Sequence, residues 1–214
     1  MRLKNVKGAN EIIVLGKYYV LDPKENKAKW KSVFGNDNPI YIEIGMGKGD
    51  FIIENAKRYK NINFIGIEKY DSVVVRAIQK SNELELDNLR IVRMDAKDIN
   101  LVFDKEVDLI YLNFSDPWPK RRHEKRRLTH PSYLNGYHKI LKDKGLIIQK
   151  TDNKELFDYS LEKFDETGWN ITSVDYNYKL LDDDVSTEYE IKFREKGTLI
   201  NRAIIEKGDD HNGN

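Results

Sequence analysis

The sequence contains no cysteine, which excludes a disulfide framework, a thiolate zinc site and a cysteine nucleophile. Its four histidines lack zinc-ligand spacing, so no metal is expected. Long apolar runs are missing too: stretches such as Ile12 to Leu15 fall far short of the roughly 20 residues needed to cross a bilayer, and the first residues lack the apolar core of a secretory signal. The expectation is a soluble cytoplasmic protein with no membrane partner, either monomer or homodimer. No repeat, low-complexity segment or linker interrupts the chain. Its 214 residues are therefore expected to form a single domain, with an N-terminal arm and helix within 1–35 and a disordered tail over 208–214.

An overall charge imbalance is also absent, Lys+Arg 37 against Asp+Glu 36 giving +1. The charges are unevenly distributed. Lys120, Arg121, Arg122, Lys125, Arg126 and Arg127 lie within eight consecutive residues with only Glu124 against them, whereas Asp182, Asp183, Asp184, Glu188 and Glu190 form an acidic cluster. A concentrated basic run suits a polyanion held over a limited footprint. Either cluster taken alone reads equally as a solvated loop.

Short apolar runs at Ile40 to Ile44, Asn63 to Ile67, Leu89 to Val92, Val107 to Leu112 and Leu146 to Gln149 read as buried strands. Helix-like stretches separate them at Asp50 to Tyr59, Asp71 to Leu86, Ser132 to Leu141 and Asn153 to Thr167. This alternation predicts an α/β fold with a mostly parallel sheet flanked by helices. The ending differs: an edge strand from Trp169 to Tyr178, a short helix from about Ser186 to Lys196 and a last strand near Leu199 to Ile205. Without a long crossover helix, this terminal pair is expected to be antiparallel.

The first strand runs into Gly45-Met46-Gly47-Lys48-Gly49, a turn that lets a ligand approach the backbone closely. A dinucleotide fingerprint would need a further glycine at position 50, which is Asp50, so the pyrophosphate reading weakens. Glu43 before the turn suits a ligand with a cationic amino acid portion. The next strands end at Glu68 and near Asp95, and ligands of open α/β sheets sit at the carboxyl ends of the strands. Glu68 can accept from ribose hydroxyls and Asp95 from an adenine amino group. Together they favour an adenosine-containing ligand without phosphates, although each acid alone reads as a helix cap.

After the fourth strand comes Asn113-Phe114-Ser115-Asp116-Pro117-Trp118-Pro119-Lys120-Arg121-Arg122-His123-Glu124-Lys125-Arg126-Arg127-Leu128-Thr129. Two prolines around Trp118 fix a turn that holds Asp116 at the substrate entrance. An aromatic ring amid arginine and lysine is the composition that stacks bases and holds phosphates. A buried Trp118 beside a solvated basic loop is the plain structural alternative.

This motif, with Glu43-Ile-Gly-Met-Gly-Lys-Gly49, Gly66-Ile-Glu68, Asp95-Ala96, Lys150-Thr-Asp-Asn153 and Thr187-Glu-Tyr-Glu190, resembles bacterial tRNA (guanine-N(7)-)-methyltransferases. The resemblance implies a class I methyltransferase (Rossmann-like) fold that uses S-adenosyl-L-methionine to methylate a guanine in the tRNA variable loop, giving 7-methylguanosine. It implies cofactor contacts at Glu43, Gly45, Gly47, Gly49, Glu68, Asp95, Ala96 and Asp116, with Asp116 also catalytic. It further implies substrate contacts at Lys120, Asp152, Thr187, Glu188, Tyr189 and Glu190, and an RNA-contacting loop at Arg122, His123, Glu124, Lys125, Arg126 and Arg127. Asp152 and Thr187 also read as helix caps. Two alternatives remain: an exocyclic-amine methyltransferase, because Asp116-Pro117-Trp118-Pro119 is loosely similar to the acid-Pro-Pro-aromatic signature of those enzymes, and a noncatalytic RNA-binding protein on a nucleotide-binding scaffold.

Overall fold

A computed structural model describes residues 8–208. The start of the expected arm and all but Gly208 of the expected tail lie outside the described residues. Two short helices, α1 (Ala9–Val14) and α2 (Trp30–Phe34), precede strand β1 (Ile40–Ile44). The alternating part follows as α3 (Asp50–Arg58), β2 (Asn63–Glu68), α4 (Asp71–Asn82), β3 (Leu89–Arg93), β4 (Val107–Asn113), α5 (Pro131–Ile140), β5 (Leu141–Thr151) and α6 (Lys154–Glu166). The chain then forms β6 (Asn170–Asp175), α7 (Glu188–Glu195) and β7 (Asn201–Glu206). Short 3-10 helices occupy Ala96–Leu101 and Arg121–Arg126.

The seven strands form one sheet in the order β3-β2-β1-β4-β5-β7-β6. Neighbours among β1 to β5 are parallel, and β7 runs antiparallel between β5 and β6. The expected terminal antiparallel pair is thus present, with the mostly exposed β6 at the edge. Successive side chains of a strand point to opposite faces. Ile40, Ile42 and Ile44 accordingly join Ile65, Ile67, Leu134, Tyr137 and Phe157 on one face, while Phe64 joins Ile52, Val74, Val75 and Ile78 from α3 and α4 on the other. Trp30 is fully buried on the first face, its indole N–H donating to the carbonyl of Val102 at 2.9 Å.

Several boundaries depart from the sequence expectation: α4 ends at Asn82 and not Leu86, β6 at Asp175 and not Tyr178, and β7 begins at Asn201 and not Leu199. β5 begins at Leu141, not Leu146, because Val107 pairs with Leu141 and Leu109 with Leu146 across an irregularity. The polar stretch Lys142-Asp143-Lys144-Gly145 lies between those two pairings and forms the excursion. The basic run is also not an irregular loop, since Arg121–Arg126 winds into a 3-10 helix.

Candidate active site and its basic rim

The carboxyl ends of β1 to β4 open into a cleft of about 710 Å³ lined by Gly45, Gly47, Glu68, Asp95, Ala96, Phe114, Asp116 and Trp118, among others. A second cleft of about 310 Å³ lies beyond the glycine turn, lined by Glu43, Gly47, Asn113, Phe114, Thr187, Glu188 and Tyr189, among others. Gly47 and Phe114 border both. Gly47 has a φ of 58° and a Cβ there would project into open space, so a side chain would be both strained and intrusive. Gly49 serves a different purpose. A Cβ on it would lie 2.9 Å from that of Ala77, so this glycine allows α3 and α4 to approach.

Glu43 is 2% exposed at the end of β1. Its Oε1 accepts from Asn113 Nδ2 at 3.0 Å, while Glu43 Oε2 and Asn113 Oδ1 are buried without a hydrogen-bond partner among the described residues. Burial first, and then the nearby Glu68 and Asp50 charges, push the Glu43 carboxyl up to about 7 despite the Asn113 bond. Two orphaned acceptors beside the glycine turn form a site that a cationic ammonium satisfies. Asn113 is a part of the site that sequence reasoning left unassigned, and its only sequence signal is an amide at the last position of a buried strand.

Glu68 accepts from three main-chain N–H groups: Lys69 at 2.7 Å and Tyr70 at 3.1 Å on Oε1, and Gly47 at 3.2 Å on Oε2. It therefore joins the glycine turn to the end of β2 and retains acceptor capacity toward the larger cleft. Burial raises its carboxyl above the usual range against the pull of those amides. Asp95 caps the 3-10 helix by accepting from Lys97 N at 3.1 Å and pairs with Lys69 Nζ at 2.7 Å. Partial burial would raise its carboxyl, but Lys69 and the Lys97 amide outweigh burial and hold it below its ordinary value.

Asp116 stands exposed on the rim in a turn with unusual backbone geometry: Phe114 has a φ of 49° and Trp118 a φ of 41°. Aromatic residues rarely adopt the left-handed region, and each such residue stores on the order of 1–3 kcal/mol. The Tyr189 ring packs against Phe114 at 5.3 Å and stacks on Phe193 at 4.3 Å. Partial burial, followed by the charges of Asp152 and Asp116, raises the Tyr189 phenol. Asp152 is not the cap of α6. Asn153 Oδ1 takes that role, accepting from Leu156 N at 2.8 Å, and Asp152 is left half-buried without it.

Thr187 does cap α7, accepting from Glu190 N at 2.9 Å. Glu188 bridges Lys48 Nζ at 3.2 Å and Lys192 Nζ at 2.8 Å, and these lysines hold its carboxyl down to about 2. Glu190, expected as a substrate contact, lies deeper than its neighbours on α7. It is fully buried, its Oε1 bound by Arg194 at 2.6 and 3.0 Å and its Oε2 lying 3.5 Å from Lys150 Nζ. Asp184 also approaches Lys150 at 3.9 Å, so part of the acidic cluster ties α7 to the sheet.

Lys120, Arg121, Arg122, Lys125 and Arg126 are exposed and make no ion pair among the described residues. Arg126 lies over the Trp118 ring at 4.8 Å and His123 meets that ring edge-on at 5.6 Å. Glu124 is half-buried, its carbonyl accepting from Arg127 N at 2.9 Å. The Arg127 side chain turns inward onto the Pro117 and Trp118 carbonyls. Among the described residues no helix is long and apolar enough to cross a membrane, and no group of acids and histidines is arranged to hold a metal ion.

A family described as "Putative methyltransferase" matches residues 37–203. A tRNA (guanine-N(7)-)-methyltransferase of Lachnoclostridium phytofermentans is 50% identical over 95% of this chain and 97% of its own length. Relatives of the same name from Geobacillus sp. and Streptococcus pneumoniae are 49% and 46% identical, covering 99% and 96% of this chain and 98% and 100% of their own. Among solved structures, the 16S rRNA methyltransferase KamB superposes with a TM-score of 0.64 at 10% identity, over 85% of this chain and 93% of that one. A 16S rRNA (adenine(1408)-N(1))-methyltransferase variant from Catenulisporales acidiphilia, solved with cosubstrate SAM, gives 0.64 at 14% identity over 91% and 95%. These structural likenesses show a class I methyltransferase fold.

Proposed function

The chain belongs to the tRNA (guanine-N(7)-)-methyltransferase family, enzymes that carry a methyl group from S-adenosyl-L-methionine to N7 of a guanine in tRNA, and we propose that its target lies in the variable loop and that it works as one cytoplasmic domain. The observation that carries the site assignment is the meeting of buried carboxylates, Asp116 and the basic run at one edge of the sheet. The donor set fits the cofactor. Glu43 and Asn113 supply unpaired acceptors for an ammonium, Glu68 supplies acceptors for ribose hydroxyls, and Asp95 with Ala96 borders the same cleft.

Bound S-adenosyl-L-methionine supplies a methyl group on a positively charged sulfur. Guanine N7 already carries a free lone pair, so no residue need remove a proton before attack. Positioning then carries most of the acceleration, which for well-aligned reactants can reach about 7–11 kcal/mol. Asp116 and Asp152 accept from the N–H donors on the pairing edge of the base, fixing N7 toward the cofactor. As methylation places positive charge on the ring, the Asp116 carboxylate stabilises it. Tyr189 and Phe114 border the space where the base would lie, and Lys120, Arg122, Lys125 and Arg126 meet phosphates. Thr187 and Glu188 shape the second cleft.

The test is methyl transfer from labelled cofactor to unmodified tRNA, followed by nuclease digestion and mapping of the modified nucleoside. 7-Methylguanosine from the variable loop is expected. Methyl on an exocyclic amine would establish the alternative chemistry, and 7-methylguanosine elsewhere in the tRNA would overturn the positional proposal.

A further inference from the structure

Arg127 ends the basic run but differs from its exposed neighbours. Its Nε donates to the Pro117 carbonyl at 3.0 Å and a terminal nitrogen donates to the Trp118 carbonyl at 3.2 Å. The guanidinium lies 4.3 Å from the centre of the Tyr159 ring on α6. Its backbone is also fixed: its N–H donates to Glu124 O at 2.9 Å, and its carbonyl accepts from His130 N at 2.9 Å. One side chain thus joins the turn after β4, the 3-10 helix that follows it and α6.

The two carbonyls it holds belong to the residues immediately after Asp116. Trp118 keeps a left-handed φ of 41°, a conformation that a bulky aromatic holds only under outside constraint. The guanidinium is a planar fork with its donors fixed in direction, and a lysine ammonium cannot reproduce it on two adjacent carbonyls over an aromatic face. We propose that Arg127 is a positioning residue, clamping the Pro117–Trp118 turn against Tyr159 so that Asp116 is held toward the target base, and that it is not one of the phosphate contacts. The clamp is a matter of geometry alone, while its effect on turnover rests on the role proposed for Asp116.

Arg127→Lys separates the two functions because it keeps the charge and removes the fork. At saturating cofactor and tRNA, turnover should fall by roughly ten- to a hundredfold, the scale of a small misplacement at a reacting centre. The dissociation constant for tRNA and its salt dependence should stay at wild-type values. Cofactor-binding stoichiometry counts the folded molecules, and the amide NMR order parameters at Ser115, Asp116 and Trp118 should fall as the turn loosens. Wild-type turnover, or a loss confined to KM and the salt slope, would overturn the clamp. Should Arg127→Lys fold poorly, Tyr159→Leu removes the platform without touching charge. The same loss in kcat alone supports the proposal, and wild-type kcat refutes it. The order parameters also separate this inference from the functional reading: a wild type that methylates no tRNA defeats that reading, while unchanged order parameters in Arg127→Lys defeat the clamp.

Discussion

Glu43 lies buried with Asn113 donating to one of its oxygens, and Glu68 holds three backbone amides, whereas Lys120, Arg121, Arg122 and Lys125 are exposed without an ion pair among the described residues. The side proposed to take the cofactor is fixed before anything binds, and the side proposed to take RNA is left uncommitted. A small ligand gains most from acceptors already in place, because their ordering cost is not incurred on binding. A polyanion is attracted over a distance and tolerates imprecise contacts, since much of its affinity comes from counterion release. Asp116 stands where these two regimes meet, on a turn strained at Phe114 and Trp118.

The largest effect should come from that meeting point. At saturating cofactor and tRNA, Asp116→Ala should reduce turnover by about 10²–10³, the usual cost of removing one group that stabilises developing charge. Affinity for tRNA should change little, because the phosphate contacts along the basic run carry most of it and deleting a negative charge does not weaken them, which outweighs the loss of one contact to the base. Full saturated turnover in this variant would dissolve the comparison, leaving the turn as scaffold only.

On the fixed side, Glu43 should make stability depend on pH. Its carboxyl rises from 4.5 to about 7 on folding, chiefly through burial. Between these values the folded chain binds the proton more tightly than the unfolded one, so the stabilising contribution present below pH 4.5 is lost as pH rises to 7. The loss amounts to about 3 kcal/mol in the cofactor-free protein. Urea unfolding of wild type and Glu43→Gln should agree near pH 4 and diverge in favour of the variant at pH 8. Parallel curves across that window would show that Glu43 does not bear the burial cost that cofactor binding is proposed to relieve.

The fixed side was also the more legible in sequence. Runs such as Ile40 to Ile44 declare buried parallel strands by their apolar continuity, and topology then brings Glu43, Glu68 and Asp95 to one edge because each ends a parallel strand. What escaped depends on contacts distant in the chain. Gly49 reads like its neighbours until Ala77 is seen against it, and Glu190 reads as a surface acid until Arg194 and Lys150 enclose it. The 3-10 helix at Arg121–Arg126 leaves no apolar period to detect. Arg127 differs from Arg126 only in what lies beneath it.

Glu68→Ala comes next in size. Losing a charged hydrogen-bonding partner should weaken cofactor binding by about 1.5–3 kcal/mol, read by calorimetry, while tRNA affinity stays unchanged. The three amides that Glu68 accepts could instead be its whole purpose. In that case the variant would lose thermal stability and keep its cofactor affinity when measured on folded protein.

The smallest effect should come from the uncommitted side, where Arg122→Ala combined with Lys125→Ala removes two exposed cations and no observed internal contact. Each phosphate contact contributes roughly 0.7–0.9 to the slope of log K against log salt, so the double variant should flatten that slope by about 1.5. Its loss in affinity should be largest at low salt and nearly vanish at high salt. Cofactor affinity should not change, because neither residue borders the two clefts. Arg126 is unsuitable for this test because it covers Trp118 at 4.8 Å, and Arg127 because it holds the turn. A slope identical to wild type would mean that the exposed cations do not read phosphate, and that the RNA is held by fixed contacts like those on the cofactor side. A flattened slope with unchanged saturated turnover would instead show that affinity for the polyanion and alignment of the base are carried by separate residues of one motif.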